Sequence, residues 1–170
     1  MKQELAELIN NQINFEIYSA HIYLNMACYC GAEGLDGFRN WMDIQYQEEL
    51  THAKKLINYL LDTGYTPKIT NWEESPATDY ASILEVAQIS LMHEKVVTDR
   101  FNYMMKKAYE LNDYATIQFL NWFVNEQIEE EANFETMIQK IKLVKDSGLY
   151  LLDQEYATRV FVDPTLEPTA

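Results

Sequence analysis

At 170 residues, with 48% hydrophobic residues but only five glycines and four prolines, the chain has material for one domain with a sizeable core and few turns, which points to a few long helices. Thirteen Lys and Arg against 27 Asp and Glu leave a formal charge of −14, which argues against nucleic acid and anionic membrane as partners and favours cations, although a solvated acidic surface explains the charge on its own. No cationic segment followed by an apolar run opens the chain, no apolar stretch nears a membrane span, and Cys28 and Cys30 form a lone Cys-x-Cys, so free thiols and a cytoplasmic location are expected.

A helical pattern over residues 2–30 carries the seam Ile9, Ile13, Glu16, Ala20, Tyr23 and Ala27, with Glu16 at a core position. Gly31 to Gly34 signal a turn, and a second helix runs from Leu35 or Asp36 to about Asp62, antiparallel to the first because the link is so short. Its seam reads Phe38, Met42, Gln45, Glu49, His52, Leu56 and Tyr59, apolar at both ends and ionisable in the middle. Residues 63–81 contain Gly64, Pro67, Asn71, Ser75 and Pro76 without a sustained period and read as a crossover long enough to return along a bundle. Ser82-x-x-Glu85 has the form of a capping box for a third helix with the seam Ile83, Ala87, Ser90, Glu94, Val97, Phe101, Met104 and Ala108. After the brief Leu111-Asn112 link, Asp113 is the expected N-cap of a fourth helix, whose seam holds Thr116, Leu120, Phe123, Gln127, Glu130, Phe134, Met137 and Ile141. Gly148 is expected to end it. Leu149, Leu152, Tyr156 and Val160 predict a short fifth helix, and Pro164 and Pro168 mark an irregular tail. The expected architecture is therefore all-α: a four-helix bundle over residues 1–146, a short helix over 147–161, and a tail over 162–170.

Each of the four seams is interrupted near its midpoint by metal-competent groups, and in a bundle of similar helices the midpoints share one level. Glu16, Glu49, His52, Glu94, Gln127 and Glu130 are thus expected to meet in one buried volume. Four carboxylates cannot all stay ionised there without cations, and two divalent ions would balance their charge. An oxygen-rich set with one imidazole suits iron or manganese better than structural zinc.

The segments Asn14-Phe-Glu16-Ile-Tyr-Ser, Gln47-Glu-Glu49-Leu-Thr-His52, His93-Glu94 and Asn125-Glu-Gln127-Ile-Glu-Glu130-Glu resemble those of non-haem ferritins of the bacterial and archaeal type, over essentially the whole chain. The resemblance implies a ferritin-like di-iron bundle in which Glu16, Glu49 and His52 hold one iron, Glu49 bridges to a second held by Glu94 and Glu130, and Gln127 lies beside them. The fourth helix departs from the general superfamily pattern, with Gln127-x-x-Glu130 in place of a second Glu-x-x-His. Tyr23, two turns beyond Glu16, is similar to the family's site tyrosine and is either an electron donor or a core tyrosine with a satisfied hydroxyl. Glu48, Glu126 and Glu129 resemble ligands of a third iron position, with a solvated acidic face as the competing reading. The implied function is iron storage with ferroxidase activity: Fe(II) oxidised by O2 or H2O2 and stored as ferric oxide in a homo-oligomeric cage, implied to be a 24-mer. Haem is not expected, since Leu50 stands where a haem-ligating methionine would be needed. A passive metal-sequestering bundle and a ferritin-like peroxidase are the alternatives, the latter lacking the Cys-x-x-Cys iron domain that rubrerythrin-type members carry.

Overall fold

Four long helices carry the chain: α1 (Gln3–Ala32), α2 (Asp36–Asp62), α3 (Ile83–Glu110) and α4 (Tyr114–Tyr156). The computed structural model describes residues 1–72 and 77–166, so Ser75, Pro76 and Pro168 lie outside the described residues. The first three helices stop in the same way. Gly34, Gly64 and Asn112 take φ values of 74°, 83° and 54°, and the following N–H donates back to the final turn, from Leu35 to the Cys30 carbonyl at 2.9 Å, from Tyr65 to Leu60 at 2.8 Å and from Asp113 to Ala108 at 2.9 Å. The starts are capped as the sequence indicates: Ser82 Oγ accepts from the Glu85 N–H at 3.2 Å and Asp113 Oδ1 from the Thr116 N–H at 3.1 Å. The return arm of the capping box reaches the Ala81 N–H.

The described residues between α2 and α3 lie along α1. Tyr65 Oη donates to the Met1 carbonyl, the side chains of Asn10 and Asn14 bond the backbone of Lys68 and Thr70, Trp72 stacks on Tyr18, and Tyr80 packs edge-on against Tyr29. Because α2 is antiparallel to α1, this crossover brings α3 to start level with the beginning of α2, and α4 returns against α3. The result is the expected ferritin-like bundle, and no helix of the described residues is long and apolar enough to cross a membrane.

The buried apolar residues form two clusters. One gathers Leu5, Ile9, Leu56, Leu60, Phe101 and Phe123, and the other Met26, Phe38, Met42, Val86, Phe134 and Met137. Each is closed by aromatic packing, such as Phe101 on Phe123 at 4.6 Å and Tyr23 on Phe134 at 5.8 Å. The polar midpoints of the seams lie between them.

The C-terminal part differs in detail from the expectation. The backbone breaks at Lys145 (φ 53°, ψ −166°), and a short helix continues through Gly148 to Tyr156. Gly148 is needed for packing, since a Cβ there would stand 2.7 Å from Val144 Cβ. Leu152 and Tyr156 are buried, but Val160 lies beyond the helix and is exposed. The chain leaves the helix early because Asn40 Nδ2 donates to the Tyr156 and Arg159 carbonyls at 3.2 and 2.9 Å. The tail is not wholly irregular, as Pro164–Leu166 forms one 3-10 turn. Asp153 docks this short helix on α2 by accepting from the Gly37 and Phe38 N–H groups at 2.9 and 3.0 Å, so a side chain remote in sequence caps α2. Gly37 permits the approach: a Cβ there would lie 1.7 Å from the Asp153 carbonyl oxygen.

Candidate metal centre

Glu16 from α1, Glu49 and His52 from α2, Glu94 from α3, and Gln127 and Glu130 from α4 are all buried in the layer between the two apolar clusters. Tyr23 is fully buried beside them. Ionisable groups this deep need partners. Several are internal. Gln12 Nε2 donates to Glu16 Oε1 at 3.0 Å, Tyr23 Oη donates to Glu94 Oε1, Gln127 Nε2 donates to Glu94 Oε2 at 3.0 Å, and Gln45 Nε2 donates to Glu130 Oε2 at 2.8 Å. His52 Nδ1 stands 3.4 Å from Glu49 Oε2, the i, i+3 pairing expected of one helix face.

The remaining demand is concentrated. Among the described residues four buried side-chain atoms have no hydrogen-bond partner, and three of them are Glu16 Oε2, Glu49 Oε2 and His52 Nε2. Native interiors leave few such atoms, and buried carboxylate oxygens without a donor are what a hard cation satisfies. Among the described residues no three Asp, Glu, His or Cys side chains close into a ready-made cage. Gln12, Tyr23, Gln127 and Gln45 instead hold carboxylate oxygens with neutral donors.

Electrostatics tell the same story. Burial raises the pKa of Glu16, and of Glu49 strongly, against the lowering influence of His52. Burial followed by the nearby Glu130 pushes Glu94 up to about 8, and burial followed by Glu48 pushes Glu130 up to about 7. Burial alone would lower His52, but Glu126 and Glu49 more than offset it and its pKa stands well above the usual value. Burial and the charge of Glu94 raise the Tyr23 phenol, so its proton stays on the ring oxygen and is available to donate. Without a cation the layer therefore holds protons that a cation would displace.

Glu48, Glu126 and Glu129 fall, with Glu130, on a separate acidic cavity of about 650 Å³ at one side of the bundle. Glu126 is half-buried, Glu129 is exposed, and Glu126 Oε1 approaches His52 Nε2 to 3.9 Å. Glu48 is not free: both its oxygens accept from Arg159 Nη2, at 2.9 and 2.8 Å.

Sequence reasoning missed four contributors to the layer. Gln12 lies four residues before Glu16 on the same face, and Gln45 sits in the α2 seam, but a neutral amide gives no sequence signal of the carboxylate it serves. Behind each stands an arginine. Arg100 Nε donates to Gln12 Oε1 and Arg159 Nη1 to Gln45 Oε1, both at 2.6 Å. The chain has three arginines, and two of them orient glutamines that serve candidate ligands. His93, next to Glu94, is half-buried with its Nε2 2.7 Å from Ser19 Oγ, and desolvation followed by the Arg100 charge pushes its pKa down to about 4, so it is a neutral part of the wall.

Comparison with known proteins identifies the family. A ferritin-like domain model matches residues 6–144. The protein described as "Bacterial non-heme ferritin" from Staphylococcus aureus strain MRSA252 is 42% identical over 163 residues, covering 95% of this chain and 98% of its own, and the Staphylococcus epidermidis protein of the same description is equally similar. Among solved structures, an Archaeoglobus fulgidus ferritin engineered into a closed form superposes with a TM-score of 0.92 at 38% identity over 95% of this chain and 99% of that one. The open-pore ferritin of the same archaeon gives 0.91 at 38% identity, over 94% of this chain and 99% of that one. A match over most of the chain to family model, relatives and structures alike means that this chain belongs to the ferritin family, and within it to the bacterial and archaeal non-haem type.

Proposed function

We propose that the chain is the subunit of an iron-storage ferritin that binds Fe(II) at a paired site in the bundle, oxidises it with O2 or H2O2, and passes Fe(III) to a ferric oxide mineral inside a homo-oligomeric cage, by family likeness a 24-mer in the cytoplasm. The observation that carries the reading is that three of the four buried side-chain atoms without a hydrogen-bond partner among the described residues, Glu16 Oε2, Glu49 Oε2 and His52 Nε2, belong to the candidate ligands. In the proposed site these three residues hold one Fe(II), Glu49 reaches toward a second, and Glu94 and Glu130 hold that second ion with Gln127 alongside.

Carboxylates favour oxidation because the harder, more highly charged Fe(III) gains more from anionic oxygen ligands than Fe(II) does. Two adjacent Fe(II) ions each give up one electron. One O2 takes both with two protons and leaves as H2O2; with H2O2 as oxidant, both electrons and two protons yield two waters. Protons held by Glu94 and Glu130 leave as the metal enters. The acidic cavity with Glu48, Glu126 and Glu129 is the proposed third position and the way out, because it shares Glu130 with the paired site. Storage itself requires assembly, since the core of a single bundle is filled by side chains.

Stopped-flow absorbance after mixing the metal-free protein aerobically with Fe(II) tests the oxidase step. A ferric signal well above buffer is expected, and its absence would leave only passive sequestration. Light scattering tests storage: a hollow assembly is expected, and a monomer or dimer would remove the storage role.

A further inference from the structure

We propose that Arg159 is a built-in counter-cation that competes with a divalent metal ion for the acidic cavity, so that metal is held there weakly and only while the guanidinium is displaced. The inference rests on the proposed handling of iron by this bundle, and it assigns the C-terminal segment a part in it.

Arg159 is placed by contacts on both sides. Its carbonyl accepts from Asn40 Nδ2 at 2.9 Å, and its guanidinium lies 4.0 Å above the Trp41 ring. From there Nη2 donates to both oxygens of Glu48 and Nη1 donates to Gln45 Oε1. Trp41, Gln45 and Glu48 are four and three residues apart, so the side chain follows one stripe of α2. A guanidinium has donors only. Gln45 must therefore turn its oxygen toward Arg159 and its Nε2 toward Glu130, and that Nε2 is found 2.8 Å from Glu130 Oε2. One cation thus engages two carboxylates, Glu48 directly and Glu130 through Gln45.

Glu48, Glu126, Glu129 and Glu130 line the cavity, and among the described residues Arg159 is the single cation in its lining. On the inner side His52 Nε2, buried and without a hydrogen-bond partner, lies within 3.9 Å of Glu126 Oε1. Carboxylate oxygens that could bind a metal ion therefore line the cavity, but among the described residues no three Asp, Glu, His or Cys side chains already converge, and the charge of Glu48 is already neutralised. An entering ion must break a charge-assisted pair in which one guanidinium nitrogen is shared by both Glu48 oxygens. Because Asn40 and Trp41 tether Arg159, the guanidinium stays close by and re-forms the pair when the ion leaves. Such a site suits transit rather than retention.

The test is calorimetric titration of the metal-free assembled protein with Zn(II), which is redox-inert, comparing wild type, Arg159→Met, Arg159→Lys and the double variant Arg159→Met/Glu48→Gln. Competition requires the weakest equivalent to bind roughly 10- to 100-fold more tightly in Arg159→Met, the equivalent of one hydrogen bond between charged groups. The gain should be smaller in Arg159→Lys and disappear in the double variant, with the tighter equivalents still present in all four proteins and weakened only as far as Gln45 is freed from Arg159. Unchanged or weaker binding of that equivalent in Arg159→Met overturns the proposal, as does a gain that survives Glu48→Gln. Loss of the tighter equivalents in Arg159→Met also overturns it, because Arg159 would then be a structural support. Failure of the aerobic ferric signal would instead count against iron oxidation, while the Zn(II) comparison still reads Arg159 by itself.

Discussion

Tyr23 of α1 donates its phenolic hydrogen to Glu94 of α3, at the level where the two apolar halves of the bundle meet. The same ring stacks on Phe134, with 2° between the planes, so its position does not depend on the hydroxyl. Tyr23→Phe is therefore expected to fold normally and to bind the same number of Fe(II) ions anaerobically. It removes a donor from a carboxylate of the proposed site. The rate of ferric formation in stopped-flow should fall by roughly tenfold, the worth of one hydrogen bond to a charged group. An unchanged rate would leave Tyr23 as a core residue only.

Arg100 fixes Gln12 as Arg159 fixes Gln45. Its guanidinium also donates to Asn11 and lies 4.1 Å from the centre of the Phe15 ring. In Arg100→Met the Gln12 amide loses the contact that holds its oxygen away from Glu16. First-equivalent metal affinity should drop by roughly 10- to 100-fold, the usual effect of losing a group that orients a ligand. Calorimetry would show it, with Arg100→Lys restoring part of the loss; equal affinities in all three proteins would contradict the relay.

The metal-free protein should lose stability as pH rises. Glu94 and Glu130 hold protons in the folded state up to about 8 and about 7, against 4.5 for an ordinary glutamate. Between those limits the native chain binds more protons than the unfolded one, so their contribution is fully present below about 4.5 and is lost as pH climbs through 7 and 8. Thermal unfolding of the metal-free protein at pH 5 to 8 should show Tm falling, and saturating Zn(II) should flatten or reverse the slope by displacing those protons. A Tm that rises with pH without metal would contradict the shifted carboxyls.

Gly37→Ala tests how the C-terminal helix is held. The added methyl would overlap the Asp153 carbonyl at 1.7 Å, so the helix must lift and the two bonds from the Gly37 and Phe38 N–H groups must weaken. A cost of about 1–3 kcal/mol is expected from overpacking, with the loss of the α2 cap adding to it. Chemical denaturation reads the cost; wild-type stability would show that the close approach is unimportant.

Much of the bundle was legible because seams repeat within single helices. The spacing of Ile9 to Ala27 or Phe38 to Tyr59 fixes which face turns inward, and Ser82, Asp113 and Gly64 carry their boundary chemistry locally. The candidate ligands were legible for the same reason, each being a polar break in an apolar stripe. Arg100 and Arg159 were not, since Arg100 lies 88 residues from Gln12 and Arg159 lies 111 from Glu48. Only the packed helices and the docking of Asp153 on α2 bring them together. Gly148 misled as a helix stop because its small size serves contact with Val144, and Val160 fitted a helical period that Asn40 cuts short.

The central claim is that buried acidic groups from all four helices form one shared binding place for paired cations. Anaerobic calorimetric titration with Fe(II) of wild type and Glu94→Ala tests it most directly. Two tight equivalents per chain are expected for wild type, with at least one lost in the variant. Wild type without tight binding, or a variant indistinguishable from it, would contradict the account.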